Sequence, residues 1–134
     1  MDGCNPTVFL VDDDLSVVRA MSRSLRRRGL TVKPYSSGKA FLDSYNGQYG
    51  CLVLDLYMPE MTGLELQNEL SKSEFDLPII FISGHGGASE SVQALNAGAM
   101  AFLEKPFSPD ILLQKINEAT QLSQNINSAA AEAY

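Results

Sequence analysis

The stretch Val8-Phe9-Leu10-Val11-Asp12-Asp13-Asp14 drives a four-residue apolar run straight into three consecutive acids. Unbroken apolarity of this length fits a strand covered on both faces, as in a parallel sheet; a half-exposed strand would alternate. Three further runs share the character: Cys51-Leu52-Val53-Leu54, Ile79-Ile80-Phe81-Ile82 and Ala101-Phe102-Leu103. A weaker run, Thr31 to Tyr35, contains Pro34 and reads as an edge strand, because proline has no N–H to give a ladder.

Helix signals fall between the runs. Asp14 is placed to cap a helix through Arg28, with Gly29 as its left-handed stop. Ser37 opens a short helix ending near Asn46-Gly47. Thr62 and Glu65 form a T-x-x-E capping box for a helix reaching about Lys72. A fourth helix is expected from about Ser89 to Ala97, stopped by Gly98. Ser108-Pro109 sets an N-cap before a first-turn proline, and Ile111 or Leu112, Ile116, Ala119 and Leu122 supply that last helix's apolar face. Five β-α units in succession predict an open, doubly wound α/β sheet, whose functional groups gather beyond the carboxyl ends of the strands.

The chain has 134 residues, which suits one domain with a real core. Apolar residues make up 45%, too many for intrinsic disorder. No apolar run exceeds five residues, which gives neither a membrane span nor a secretory segment, so a cytoplasmic location is expected. Cys4 and Cys51 are too few for a disulfide framework and lack metal-ligand spacing; Cys51 reads as a small buried hydrophobe. The net charge of −6 argues against a surface that binds DNA or anionic membrane everywhere. That charge is unevenly spread. Residues 19–39 hold seven bases (Arg19, Arg23, Arg26, Arg27, Arg28, Lys33, Lys39) and no acid. Arg26-Arg27-Arg28 suits the negative end of a helix dipole as a solvated face, or a docking patch for a partner.

Asp12 and Asp13 follow the first strand, Asp55 the third, and Lys105 the fifth, while Ser83 ends the fourth. A doubly wound sheet puts all five on one rim. Carboxylates brought together raise one another's pKa unless a cation joins them, and oxygen-only ligands favour a hard divalent ion such as Mg²⁺. Helix capping explains Asp14 but leaves Asp55 and Lys105 without a reason.

These residues closely resemble a known family. Val11-Asp12-Asp13, Asp55-Leu56-Tyr57-Met58-Pro59-Glu60-Met61-Thr62-Gly63, Ser83-Gly84 and Lys105-Pro106-Phe107 look like the receiver domains of two-component response regulators, the CheY-like fold. Spacings of 42 residues from Asp13 to Asp55, 28 on to Ser83 and 22 on to Lys105 match it. Ser83-Gly84-His85-Gly86 and Glu104-Lys105-Pro106-Phe107 look most like the FixJ-type branch. The resemblance implies a (βα)5, flavodoxin-like parallel sheet of strand order 2-1-3-4-5. It implies a receiver over residues 1–122, with 123–134 as a tail or the start of a linker to an absent output domain.

It also implies roles. Asp55 would accept a phosphoryl group from the phosphohistidine of a sensor histidine kinase. Asp13, Asp55 and the Tyr57 backbone carbonyl would hold Mg²⁺ or Mn²⁺, with Asp12 acting largely through water. Lys105 and the Ser83 hydroxyl would each meet a phosphoryl oxygen; the bland readings are a surface salt bridge and a strand-end cap. Ser83 and Phe102 would switch together, although Phe102 equally suits a core strand. Tyr57 and His85 would tune phosphate lifetime, His85 having a plain loop residue as its alternative. The Lys105–Pro106 bond is expected to be cis. Helix four, strand five and helix five would form the surface that changes, and the homodimer face. DNA would be reached only through an output domain, with no membrane partner.

Three rivals remain at this level. A stand-alone receiver would act by protein contact alone. A Mg²⁺-dependent aspartate-nucleophile phosphatase generally carries a second Asp two residues after the nucleophile, where Tyr57 stands here. A pseudo-receiver normally loses an acid or the lysine, and all are intact.

Overall fold

A computed structural model describes residues 6–73, 77–84, 88–105 and 107–132, leaving out the side chains of 88–90, 92 and 122–132. His85, Cys4 and the Lys105–Pro106 bond lie outside the described residues. The elements alternate without exception: β1 (Thr7–Val11), α1 (Leu15–Arg27), β2 (Thr31–Tyr35), α2 (Gly38–Ser44), β3 (Gly50–Asp55), α3 (Gly63–Ser71), β4 (Ile79–Ser83), α4 (Ala88–Asn96), β5 (Ala101–Glu104) and α5 (Pro109–Glu132). All five strands pair in parallel, in the order β2-β1-β3-β4-β5. The expected sheet is the one observed, and Pro34 lies on an outer strand.

The apolar runs divide between two faces because successive strand residues point to opposite sides. Val8, Leu10, Val53, Ile80 and Ile82 pack with Val18 and Leu25 of α1 and Leu112, Ile116 and Ala119 of α5. Phe9, Val11, Leu52, Leu54 and Phe81 pack with Phe41 of α2, Leu66 and Leu70 of α3 and Ala94 of α4. Of the two candidates at the start of α5, Leu112 is buried and Ile111 is exposed.

Local signals fix the helix ends. Asp14 accepts from the backbone N–H groups of Ser16 at 3.0 Å and Val17 at 3.4 Å, capping α1. At the other end Gly29 has φ +86°, and the N–H groups of Leu30 and Gly29 return to the carbonyls of Leu25 and Arg26. This double closure needs a left-handed residue at the turn, and glycine takes that conformation without a Cβ clash. Gly98 ends α4 the same way. The Thr62–Glu65 capping box is present in both directions. The α2 helix stops at Ser44, two residues short of expectation, where Tyr45 turns to extended backbone and stacks on Phe41 at 5.1 Å. Packing of one ring ends that helix before the Asn46-Gly47 signal is reached.

Candidate functional site

The strand order places β1 and β3 side by side in the middle of the sheet, and the crevice beyond their carboxyl ends is where such folds hold ligands. Asp12 and Asp13 leave the end of β1. Asp55 is the last residue of β3 itself, one position earlier in the architecture than the apolar run suggested. The Oδ atoms of Asp12, Asp13 and Asp55 lie within 4.8 Å of one another. Asp12 is fully buried and Asp55 is 7% exposed, while Asp13 faces solvent. Oxygen-only ligands at this spacing, one of them open to water, fit a hard divalent cation that keeps part of its hydration.

Each carboxylate is held differently. Asp12 Oδ1 accepts from the Asp14 N–H at 3.0 Å, and Oδ2 accepts from Lys105 Nζ at 3.2 Å. Lys105 Nζ stands 4.0 Å from Asp55 Oδ1. Burial pushes the Asp55 pKa up from 3.8 to about 6, and the Asp12 charge adds to it; Lys105 opposes, Asp13 raises it further, and the Tyr57 N–H donates to the carboxylate and lowers it. The mutual repulsion expected of clustered acids is therefore visible on Asp55. Asp14 points away into its cap, separating the third acid of the triplet from the other two.

The remaining rim residues arrive on β4 and β5. Ser83 ends β4 fully buried, and its carbonyl accepts from the Lys105 N–H at 2.7 Å, which ties the two strand ends together. Phe102 is half-buried, its ring stacked on Phe81 at a centroid distance of 6.4 Å. Tyr57 is exposed just beyond Asp55. Thus Asp12, Asp13, Asp55, Ser83, Lys105 and Tyr57 share the rim, and Phe102 lies three residues down β5.

Gly63 has a role that its place in the motif did not disclose. A Cβ there would lie 2.6 Å from the Asp55 carbonyl oxygen and 2.8 Å from Phe81 Cε1, so only glycine lets α3 start against the strand that ends in Asp55. The Gly63 N–H donates to the Leu56 carbonyl at 2.8 Å, fixing that approach. Glu60, in the same loop, adopts φ 70°, a conformation that costs a non-glycine residue about 1–3 kcal/mol. Gln67 Nε2 donates to the Ala94 carbonyl at 3.0 Å and binds α3 to α4 within the core. A glutamine on an apolar helix face was the signal for that contact.

Comparison with known proteins agrees with the geometry. The family model described as the response regulator receiver domain matches residues 8–117. The response regulator protein TmoT of Ectopseudomonas mendocina is 45% identical over 125 residues, 92% of this chain and 56% of that protein. The transcriptional regulatory protein FixJ of Rhizobium meliloti is 38% identical over 116 residues, 86% of this chain and 57% of its own length. Among solved structures, the response regulator StyR superposes with a TM-score of 0.91 at 41% identity, covering 96% of this chain and 66% of that one. The chain thus spans little more than half the length of these curated relatives.

Proposed function

Since the chain belongs to the response regulator receiver domain family of two-component systems, we propose that it accepts a phosphoryl group on Asp55 from the phosphohistidine of a sensor histidine kinase. An Asp55 carboxylate oxygen attacks phosphorus, the P–N bond to the donor imidazole breaks, and an acyl phosphate forms. The observation that carries the reading is the buried Asp55 carboxylate, gathered with Asp12 and Asp13 and faced by Lys105 at 4.0 Å. Phosphoryl transfer asks a protein to position groups and to neutralise charge on the equatorial oxygens, and these side chains are suited to both.

Asp13, Asp55 and the Tyr57 carbonyl would hold Mg²⁺ or Mn²⁺, with Asp12 contributing largely through water. A divalent ion there offsets charge on the phosphoryl oxygens. Lys105 moves from Asp12 to one phosphoryl oxygen as a point charge, and the Ser83 hydroxyl donates to another. As Ser83 is drawn in, Phe102 turns inward and the α4–β5–α5 surface changes; exposed Leu95 and Ile111 make that face suited to a homodimer. Tyr57 overhangs the site and slows water's access to the acyl phosphate; His85 is the second proposed modifier. The chain assists its own phosphorylation and slow dephosphorylation. Residues 1–122 are the proposed receiver, and 123–134 a tail or the start of a linker. FixJ is named a transcriptional regulatory protein, so the output proposed here is control of a DNA-binding domain within a cytoplasmic regulator. Among the described residues, no helix is long and apolar enough to cross a membrane.

Intact mass after incubation with acetyl phosphate and Mg²⁺ tests the reading. One added phosphoryl group, absent in Asp55→Asn, supports it. Steady phosphate release over many turnovers would mark a phosphatase instead, and no modification from any donor would leave only a binding module.

A further inference from the structure

The basic stretch is not absorbed by the receiver chemistry. A helix dipole attracts cations to the last turn, which accounts for Arg26 and Arg27, but Arg19 and Arg23 lie in the first half and middle of α1. Arg19, Arg23 and Arg27 recur every fourth residue, about 6 Å apart along the axis, so like charges sit where they repel. Among the described residues, no carboxylate pairs with any of the three.

A groove of about 540 Å³ runs between this face of α1 and β2, lined by Arg19, Ser22, Arg23, Arg26, Arg27 and Pro34. Its volume is that of small-ligand sites. Arg26 is braced by a 2.9 Å hydrogen bond from Nη2 to the Val32 carbonyl. Ser22 is only 4% exposed, and its buried Oγ makes no hydrogen bond. A buried hydroxyl without a partner calls for a reason; the Oγ itself is enclosed, while Ser22 as a residue borders a groove walled by guanidinium groups.

We propose that this groove binds the phosphate groups of a nucleotide-sized anion, with Arg19, Arg23, Arg26 and Arg27 as charged donors and the Ser22 hydroxyl as the donor at its floor. Guanidinium forks match phosphate oxygens in charge and geometry, and a turn of the enclosed Ser22 side chain about χ1 would bring its O–H to a phosphate oxygen, its missing acceptor. Edge-strand Pro34 walls the groove without offering a competing N–H. The acidic rim around Asp55 suits a cation and repels such a ligand, so the two sites are distinct.

Calorimetric titration of the 134-residue chain with inorganic pyrophosphate, in EDTA at low ionic strength, tests the proposal. Saturable one-site binding is expected, weakened at least tenfold by Arg19→Ala/Arg23→Ala and severalfold by Ser22→Ala. Ser22→Ala should hold or raise the melting temperature, because it deletes an unsatisfied hydroxyl; a structural role alone would not give that split. Asp55→Asn should bind as the parent does, which separates this site from the phosphoacceptor. No saturable binding, or binding indifferent to Ser22→Ala or to the arginine pair, overturns the proposal. Binding of a short DNA duplex through the same arginines without pyrophosphate binding also overturns it, in favour of a nucleic-acid surface.

Discussion

Lys105 donates to Asp12 at 3.2 Å while standing 4.0 Å from Asp55, so the ammonium is held by one buried acid and lies within ion-pair reach of a second. Removing it takes away a positive charge that lowers the Asp55 pKa. Lys105→Ala should therefore raise that pKa further, as read by NMR titration of the Asp55 carboxyl carbon. Phosphorylation by acetyl phosphate should slow by about 10²-fold, the usual loss when a donor to developing oxyanion charge is deleted.

Asp55 should make folding stability depend on pH. Its folded value of about 6 lies above the ordinary 3.8, so the folded chain holds that proton more tightly than the unfolded chain. The stability it contributes is complete below about pH 4 and disappears as pH rises through about 6. Asp55→Asn, which cannot ionise, should exceed the parent by on the order of 2 kcal/mol at neutral pH in EDTA. Denaturant titrations should show that gap closing toward pH 4. Mg²⁺ affinity should rise with pH through the same window as the proton leaves.

The neighbouring acids Asp13 and Asp14 should separate cleanly. Asp14 caps α1 through two backbone N–H groups. Asp14→Ala should cost about 1 kcal/mol of stability and spare phosphorylation. Asp13→Asn, at an exposed position, should leave stability nearly unchanged while weakening Mg²⁺ binding. Parallel urea melts and metal titrations of the two variants check the contrast.

Gly63→Ala should destabilise by about 1–3 kcal/mol, since its Cβ meets both the Asp55 carbonyl and the Phe81 ring. Because the clash is with the backbone of Asp55, the proposed acceptor, slower phosphorylation should accompany the lower urea midpoint. An alanine at Gly29 would act differently, straining a positive φ in open space.

Cys51 should behave as a reporter of global unfolding. Burial pushes its thiol up to about 12, and it lies fully enclosed in β3. In a Cys4→Ser background, thiol reagents should label it only as fast as the chain opens, with rates that rise with urea as the unfolded fraction does.

Most of this architecture was legible because its signals are local. Four-residue apolar runs marked strands, and Asp14, Thr62, Gly29 and Gly98 marked helix ends through hydrogen bonds made within a few residues. The rim followed from the doubly wound sheet that the alternation of runs and helices predicts, and the family resemblance supplied the strand order. What stayed hidden depends on residues distant in the chain. Lys105 meets Asp12 across 93 positions, a contact no periodicity encodes. The early end of α2 depends on Tyr45 packing against Phe41, and the need for glycine at position 63 on a ring carried by β4. Nothing local in the sequence marks Ser22, whose burial comes from packing.

The four-residue strand β5 lies at the outer margin of the sheet, joined on one side only, to β4. Lys105 follows directly from it. Outer strands with few ladder bonds come loose before central ones. Partial opening at that margin would carry off the lysine while Asp12, Asp13 and Asp55 stay anchored to β1 and β3. On mild heating the chain should therefore lose its chemistry before it loses its shape, keeping its acids assembled with nothing left to balance them.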